Sequence, residues 1–528
     1  MLTCLNRLAL SLLTASLVLG VSHSGATSEE FTLVHTNDFH GRYYPIEVVP
    51  GNAMVQTGDP GGRMQGFERA GRMGGFACQA TLLKQIRNAR GDDNVFVVHA
   101  GDTFSDDLLG NLTKGGAVIR LMNALSYDFL ALGNHDFDYG LDRTLALAAL
   151  ADFPMLAANV TLRESGEPVF GDPTRVITLG GVKVGFLALG YHNTHMTTSP
   201  DNVQSLAFTS GIDAARRYLS DLHEQADVVV VVSHQGTTVD RKLAREVDGV
   251  DIILGGHSHN WITPPEKVGN TWLVEALSNG LLVDELRVHV TDGRISRVDQ
   301  TMHTLWEDQC QPDPEVVTMI DSLRKPHRQR LEAVLATAVE PIGRQYQSAS
   351  PFDRLVGEIL RQETGTDVAF LPGVGYGVTL PTGPITREAL YTLLPHPSKL
   401  VTLELSGAQI LQILEQSATN QKPTVPLRIV GGLIQTSGIG WTVDYRRPPG
   451  NRIDAVTVNG IPLDDEVLYR AATHSGMMAG IHRYATFAKG HAIRRSDRLI
   501  TDIVEAHLQR RGKVTAPARK DIILIRAR

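Results

Sequence analysis

"YDFLALGNHDFDYG" (residues 127–140) places an apolar run directly before a short polar segment that two glycines bound. The run "YDFLAL" is typical of a buried strand, and Gly133 and Gly140 mark the turns on either side of the polar segment. The side chains between them with carboxylate, amide or imidazole groups are Asn134, His135, Asp136 and Asp138. Because α/β folds place ligand-binding loops at the carboxyl ends of strands, the stretch predicts an α/β fold with a site at this point.

The same design occurs four more times before residue 260: an apolar run is followed by ligand-type residues beside glycine. These clusters are "HTNDFHG" (Asp38, His40), "HAGDTF" (Asp102), "VSHQG" (His234) and "GGHSHN" (His257, His259). Residues two apart in extended chain point to the same side, so each two-residue cluster can converge on one point. A single cluster is more simply explained as a cap or turn. Five clusters at successive strand ends predict a metal site.

Carboxylate, amide and imidazole ligands without thiolate suit borderline divalent ions. Manganese or zinc is expected first, with iron or cobalt as alternatives. A carboxylate between two such ions can bridge a pair about 3.5 to 4 Å apart, which stabilises in-line displacement and makes hydroxide available at neutral pH. The pattern therefore predicts two divalent ions and no protein nucleophile.

The chain of 528 residues, with 42% hydrophobic and 20% charged residues, is too long for one ordinary domain. From about Phe31 to Thr304, β-branched runs alternate with helical stretches, which indicates a layered α/β domain at 28–305. A charged, helix-forming segment interrupted by Pro326 predicts a linker helix at 306–340. A second domain at 341–528 combines helical stretches with hairpin-rich β segments.

Net charge and the first residues bear on location and partners. The formal net charge of -7 gives no basic surface for a nucleic-acid polymer, so a small anionic substrate is expected. Residues 1–27 combine Arg7, an apolar run and small polar residues, which predicts a secretory signal peptide and a periplasmic or secreted protein without a membrane span after cleavage. Cys78 and Cys310 would then remain, and the sequence leaves open whether they pair.

The ordered motifs "HTNDFHG", "GDTF", "GNHDFDYG", "SHQG" and "GGHSH" together resemble those of the calcineurin-like metallophosphoesterases, in the branch of secreted bacterial 5′-nucleotidases. The resemblance covers nearly all of the mature chain. It implies a four-layer β-sandwich flanked by helices, followed by a smaller α+β domain that recognises the substrate. It also implies a metal-bound hydroxide that attacks a phosphomonoester, with a nucleotide as the typical substrate.

The resemblance further implies a role for each site residue. One metal would be held by Asp38, His40, Asp102 and His259. The other would be held by Asp102, Asn134, His234 and His257, with Asp102 bridging the two. The family often has glutamine where this chain has His259. His135 would face the transferring group, and Asp138 would orient its imidazole, so these two residues are expected to form the catalytic dyad.

The second domain departs from the nucleotidase pattern. Where those proteins resemble "NGGGIR", this chain has "FLPGVGYGVTLPTGPIT", with no arginine between Leu371 and Pro384. Tyr376 is a candidate stacking surface for the substrate. This stretch looks more like the related thiosulfohydrolases, which release sulfate from a cysteine-bound thiosulfonate on a carrier protein. That activity, with a carrier protein as partner, is the alternative, and a metal-bound binding protein without turnover is the third hypothesis.

Overall fold

The computed structural model describes residues 28–48, 67–344, 348–374, 378–518 and 521–525. The predicted signal peptide at 1–27 and the candidate substrate residue Tyr376 lie outside these described residues.

The helices are α1 (Phe76–Arg90), α2 (Leu108–Thr113), α3 (Gly116–Ala124), α4 (Leu141–Ala148), α5 (Pro200–Val203), α6 (Gly211–His223), α7 (Thr237–Glu246), α8 (Pro314–Arg324), α9 (Arg328–Leu331), α10 (Pro351–Thr364), α11 (Arg387–Tyr391), α12 (Gly407–Gln421), α13 (Ser475–Met478) and α14 (Ile500–Arg511).

The strands of the first part of the chain are β1 (Ser28–Thr36), β2 (Ile46–Val48), β3 (Gly71–Met73), β4 (Val95–His99), β5 (Phe129–Ala131), β6 (Met155–Leu156), β7 (Val160–Leu162), β8 (Thr174–Leu179), β9 (Val182–Leu189), β10 (Leu206–Phe208), β11 (Val228–Ser233), β12 (Ile252–Gly255), β13 (Glu266–Val268), β14 (Thr271–Val274), β15 (Leu282–Thr291) and β16 (Arg294–Thr304). Those that follow are β17 (Val334–Ala338), β18 (Val368–Gly373), β19 (Gly383–Thr386), β20 (Lys399–Ser406), β21 (Gly432–Ser437), β22 (Ile439–Asp444), β23 (Ile453–Val458), β24 (Ile461–Pro462), β25 (Leu468–His474), β26 (His491–Leu499), β27 (Lys513–Val514) and β28 (Ile522–Ile525).

Two six-stranded sheets form the centre of the first domain. Their strand orders are β16-β15-β1-β4-β5-β6 and β13-β14-β12-β11-β9-β8. Apolar side chains from the two facing sides, such as Leu33, Val98, Phe186 and Val230, pack into one buried core. Helices α1 and α3 pack on the outer side of the first sheet, and α6 and α7 pack on the outer side of the second. The predicted four-layer α/β sandwich is confirmed.

Parallel pairing brings the strand ends together. In the first sheet β1, β4, β5 and β6 are parallel neighbours, and in the second β9, β11, β12 and β14 are parallel neighbours. The loops that follow parallel strands therefore leave each sheet at one edge. This arrangement positions the five polar clusters for a shared site.

The predicted linker helix at 306–340 is only partly helical. Helix α8 ends at Arg324, two residues before Pro326. Proline has no backbone N–H and therefore cannot donate the hydrogen bond that continues a helix. After the short α9, Val334–Ala338 is not helix but strand β17, which pairs with β19 and β27 of the second part of the chain. Its hydrogen bonds to other strands override its helix-forming composition. The domain boundaries themselves stay a prediction.

The second domain is α+β. A five-stranded sheet has the order β21-β18-β25-β20-β26, and a four-stranded sheet has the order β24-β23-β22-β28. The predicted hairpin is present as β22 paired antiparallel with β23. Helix α12 packs between these sheets through Ile410, Ile413 and Leu414.

One apolar cluster joins the two domains. It combines Met73 and Leu277 of the first domain with Phe352 and Val356 on α10 of the second, among other buried residues. Cys78 on α1 and Cys310 form a disulfide, with a distance of 5.7 Å between their Cα atoms. None of the helices within the described residues is both long and apolar enough to cross a bilayer.

Candidate metal centre and catalytic dyad

The seven predicted ligand residues lie in loops that follow five strands. Asp38 and His40 follow β1, Asp102 follows β4, Asn134 follows β5, His234 follows β11, and His257 and His259 follow β12. All except His257, which is half-buried, are buried. The loops come from both sheets, so the site lies where the carboxyl ends of the two layers meet.

The backbone at this site adopts a left-handed conformation that residues other than glycine rarely take. φ is positive at five of the predicted ligand residues: Asp38 (53°), His40 (46°), Asp102 (53°), His257 (74°) and His259 (53°). Such conformations cost of order 1–3 kcal/mol each and concentrate at functional sites. The surrounding fold therefore holds these residues in place against a local cost.

Glycine at the strand ends permits the close approach of the loops. A Cβ on Gly133 would clash with Oδ1 of Asp102, and one on Gly101 would lie 2.7 Å from Nδ1 of His234. Both contacts are too short for real atoms, so neither glycine can be replaced without moving a predicted ligand.

The first set of ligand atoms belongs to Asp38, His40 and His259, which offer atoms within 4.8 Å of one another. Nε2 of His40 lies 3.0 Å from Nε2 of His259, and Nε2 of His259 lies 3.0 Å from Oδ1 of Asp38. Nδ1 of His40 lies 2.8 Å from Oδ2 of Asp106, a residue outside the five sequence clusters. A carboxylate on the far nitrogen orients a metal-binding imidazole and raises its basicity.

The second set belongs to Asp102, His234 and His257, again within 4.8 Å of one another. Nε2 of His234 lies 3.1 Å from Oδ2 of Asp102 and 3.9 Å from Oδ1 of Asp38, so the two sets adjoin. Nδ1 of His234 donates to the carbonyl oxygen of Ala100 at 2.5 Å, which leaves Nε2 for the centre. Asp102 also accepts the backbone N–H of His135 at 2.7 Å.

The environment of the Asn134 amide oxygen indicates whether a metal ion fits at this site. Oδ1 of Asn134 is buried and has no hydrogen-bond partner in the described part of the chain. An unpaired buried polar oxygen costs about 1–3 kcal/mol. A divalent cation beside the second set would satisfy this oxygen, so the residues present fit the ion.

Charges within the site reinforce this fit. Burial disfavours the carboxylate of Asp38, yet His259 and His234 hold its pKa well below the usual range. Burial likewise disfavours a charged His234, but Asp102 and Asp38 raise its pKa to about 10. The carboxylates thus attract positive charge into a buried pocket, as a cation site requires.

The predicted dyad is in hydrogen-bonding contact. Nδ1 of His135 lies 2.7 Å from Oδ2 of Asp138. Asp138 is itself held by the hydroxyl of Thr198, which donates to its Oδ1 at 2.7 Å. Burial opposes a charge on His135, but Asp106 and Asp138 outweigh it and raise the pKa of His135 well above the usual value.

Asp136, the remaining polar residue of the opening stretch, organises backbone. Its Oδ2 accepts from the N–H of Gly133 at 2.8 Å and from that of Asp102 at 3.1 Å, and its Oδ1 accepts from the N–H of Thr103 at 2.8 Å. It therefore ties the loop after β4 to the loop after β5.

Two residues beside the dyad were missed from the sequence. Asp106 and His396 offer ligand-type atoms within 4.8 Å of those of His135 and Asp138. Asp106 stands in "DTFSDD", only four residues after Asp102, so the acidic run was a usable signal. His396 is a single histidine between two prolines in the second domain, and no spacing in the sequence connects it to the site.

The guanidinium of Arg344, in the second domain, is hydrogen-bonded to other residues of that domain. The Nε and Nη2 of Arg344 donate to the two oxygens of Asp353 at 3.1 and 2.8 Å, and Nη1 donates to the carbonyl of Leu393. Arg344 is also buried. These contacts hold the guanidinium against other residues of the second domain.

Two family models match the chain in succession. Residues 31–261 match the calcineurin-like phosphoesterase model, and residues 333–489 match the model of the 5′-nucleotidase C-terminal domain. A snake venom 5′-nucleotidase from Crotalus adamanteus is 26% identical over 93% of this chain and 88% of its own length.

Solved structures of both expected branches are similar. The 5′-nucleotidase precursor from Thermus thermophilus has a TM-score of 0.83 and 26% identity, covering 94% of this chain and 100% of that one. The sulfate thiohydrolase SoxB from Thermus thermophilus has a TM-score of 0.85 and 24% identity, covering 94% of this chain and 97% of that one. The second likeness concerns the fold.

Proposed function

As a member of the calcineurin-like phosphoesterases that carry a 5′-nucleotidase C-terminal domain, this chain is a metal-dependent phosphoester hydrolase, and we propose that it hydrolyses a small, nucleotide-like phosphomonoester. The observation that carries the proposal is the convergence of two ligand sets and one histidine–aspartate dyad at the same strand ends. A binding protein without turnover would need the ligand sets but has no use for the dyad.

The proposed ligand sets follow the two groups of adjoining atoms. Asp38, His40, Asp102 and His259 would hold one divalent ion. Asp102, Asn134, His234 and His257 would hold the other, with manganese or zinc as the first candidates. When bound, such a pair activates water and neutralises charge on the transferring group.

His135 would act at the leaving oxygen. Its Nδ1 is engaged by Asp138, so Nε2 is the nitrogen that would face the substrate. A positioned imidazole that transfers a proton there contributes typically 10²- to 10⁴-fold in rate. Asp138 would keep the ring in the orientation and tautomer that this transfer needs.

Two features support a location outside the cytoplasm. The disulfide between Cys78 and Cys310 is of a kind that persists in oxidising compartments, and residues 1–27 have the composition of a signal peptide. We therefore place the mature protein in the periplasm or the extracellular medium.

The experiment is anion release by the mature protein after removal of metal and reloading with manganese. The panel contains AMP, a UDP-sugar, a cyclic nucleotide, an aryl phosphate and a peptide bearing a cysteine thiosulfonate. Phosphate release from AMP, abolished by a chelator and restored by manganese, is the expected result.

The thiosulfonate peptide tests the alternative. The missing arginine between Leu371 and Pro384 is the specific observation that favours it, because a nucleotide phosphate loses its usual bidentate partner there. Sulfate release from the peptide, with no phosphate from any other compound, would overturn the nucleotide proposal and assign the chain thiosulfohydrolase activity.

A further inference from the structure

His396 brings a side chain of the second domain against the catalytic dyad. Its ring is stacked on that of His135, with 5.4 Å between centroids and 9° between planes. Its two nitrogens face two different carboxylates: Nε2 lies 3.6 Å from Oδ1 of Asp106, and Nδ1 lies 3.7 Å from Oδ2 of Asp138. We call Asp106, His135, Asp138 and His396 the interdomain cluster, since His396 is its one member from the second domain.

The segment that carries His396 is held on the first domain by backbone contacts on its N-terminal side. The side-chain amide of Asn111 donates to the carbonyl of Pro395 at 2.9 Å. The guanidinium of Arg42 donates to the carbonyl of Thr392 at 2.9 Å and to that of Asp106 at 3.1 Å. Arg42 thus ties the His396 segment to the loop of Asp106, so the position of His396 is set by contacts other than its own ring.

His396 and His40 face different carboxylate oxygens of Asp106. Its Oδ2 faces Nδ1 of His40, a proposed metal ligand, at 2.8 Å. Its Oδ1 is buried and has no hydrogen-bond partner among the described residues. A buried carboxylate that loses a facing imidazole loses compensation for its charge, which is costly in a low-dielectric site. His396 therefore stabilises a carboxylate that contacts the metal centre and the dyad together.

From this geometry we propose that His396 is a positioning residue for the reaction: it holds Asp106 and Asp138 electrostatically and so fixes the ring of His135. The proposal rests on the proposed function in one respect, namely that His135 acts on the substrate. His396 positions the ring of His135 through its contacts with the two carboxylates. Its own ring also stacks on one face of His135. The active site is therefore completed by the second domain.

Three substitutions separate these contributions. His396→Ala removes the polar contacts and the stack, His396→Phe keeps a ring without nitrogens, and His396→Asn keeps a hydrogen-bonding group without a ring. His491→Ala, at an exposed histidine at the start of β26, is the matched control. Each full-length variant is measured for kcat, KM, metal content and pH profile, on whichever compound of the panel the wild type turns over best.

We expect His396→Ala to lower kcat at least about 10-fold, with KM changed less and two metal equivalents retained, because a misplaced catalytic group costs rate without removing ligands. His396→Asn should recover part of the loss and His396→Phe less. Full recovery by His396→Phe, or a wild-type kcat for His396→Ala, would overturn the proposal. So would the loss of a metal equivalent confined to His396→Ala, which would make the interdomain cluster a cation site.

A second measurement does not depend on turnover. Diethyl pyrocarbonate acylates accessible imidazoles, and peptide mass spectrometry gives the rate at His135 separately. We expect this rate to rise in His396→Ala and to stay at the wild-type level in His491→Ala, since His135 is only 8% exposed beneath the second domain. An unchanged rate in His396→Ala would overturn the packing on which the proposal depends. If the rate rises but no phosphoester is hydrolysed by the wild type, the proposed function fails while the contact stands.

Discussion

In three histidines of the site, Nδ1 contacts a neighbouring oxygen of the protein. Nδ1 of His40 faces Asp106, Nδ1 of His234 donates to a backbone carbonyl, and Nδ1 of His135 contacts Asp138. In each case the engaged nitrogen sets the ring orientation and directs Nε2 to the centre of the site. The same local chemistry thus orients the two proposed metal-binding rings, His40 and His234, and the proposed catalytic ring, His135.

His135→Ala tests the division between metal binding and catalysis. We expect kcat to fall about 10²- to 10⁴-fold while metal content stays at the wild-type value, because His135 lies outside the two proposed ligand sets. Steady-state kinetics and elemental analysis of the same preparation give the two values. Asp138→Asn is the companion variant, and it should reduce kcat less. A matching loss of metal and turnover in His135→Ala would instead make His135 a ligand.

Asp102→Asn tests the shared carboxylate. Loss of a group that merely orients a ligand costs about 10- to 100-fold in metal affinity, and loss of a bridging carboxylate should cost more. We expect metal content to fall below that of Asp106→Asn, whose carboxylate reaches the proposed ligands only through the far nitrogen of His40. Competition with a chelator of known affinity measures both. Equal affinities in the two variants would contradict a bridging role for Asp102.

The paired strands β15 and β16 contain a buried acid, Asp284, that lies outside the proposed site. Oδ2 of Asp284 accepts from the side-chain amide of Gln300 at 2.9 Å, while its Oδ1 has no hydrogen-bond partner within the described residues. Burial raises the pKa of Asp284 from 3.8 to about 8. The folded protein therefore keeps a proton on this carboxyl that the unfolded chain has released.

This proton gives a pH-dependent stability with a defined sign. The contribution is fully present below the unfolded pKa of 3.8 and is lost as pH rises towards about 8. Asp284→Asn mimics the neutral acid, so its melting temperature relative to wild type should increase from pH 5 to pH 8. Calorimetry at a series of pH values measures the difference.

Asp299→Asn on β16 is the matched control for this strand pair. Asp299, which is only half-buried, has its pKa lowered by a hydrogen bond with His289. Its contribution to stability is therefore present above the unfolded pKa and is lost as pH falls, the opposite trend. A melting-temperature difference for Asp284→Asn that does not change with pH would contradict a buried neutral Asp284.

At the level of the complete chain, one covalent bond spans most of the first domain. Cys78 and Cys310 are separated by 232 residues in sequence, and their bond joins α1 to the segment directly before α8. A shared apolar cluster then continues from this domain into α10 of the second. The disulfide limits the freedom of the unfolded chain, whereas the apolar cluster stabilises only the folded state.

Cys78→Ser with Cys310→Ser should lower the free energy of unfolding by about 2–5 kcal/mol, the usual cost of losing a native disulfide. We expect kcat at 25 °C to be retained, since the proposed site residues lie on other segments. Denaturant unfolding of wild type and the double variant, each with and without reductant, measures the effect. Reductant should destabilise the wild type and leave the variant unchanged; destabilisation of both would point to a different cause.

The sequence by itself determined the layered fold and which ligand-type residues meet at its strand ends. Ligand-type residues beside glycine at successive strand ends are local signals, and parallel pairing necessarily brings such ends to one edge. The family resemblance implied the contact between His135 and Asp138, and the structure contains it. The sequence overestimated the linker helix, because β17 gains partners from distant strands that no local propensity encodes.

Only the tertiary structure decided what lies around that centre. His396 reaches His135 from a distant part of the sequence because Arg42 and Asn111 fix its segment on the first domain. The pairing of Cys78 with Cys310, which the sequence left open, likewise depends on how α8 packs on α1. Packing between distant elements is set by the summed shape of buried side chains rather than by any one segment, so these contacts could not be read from local pattern.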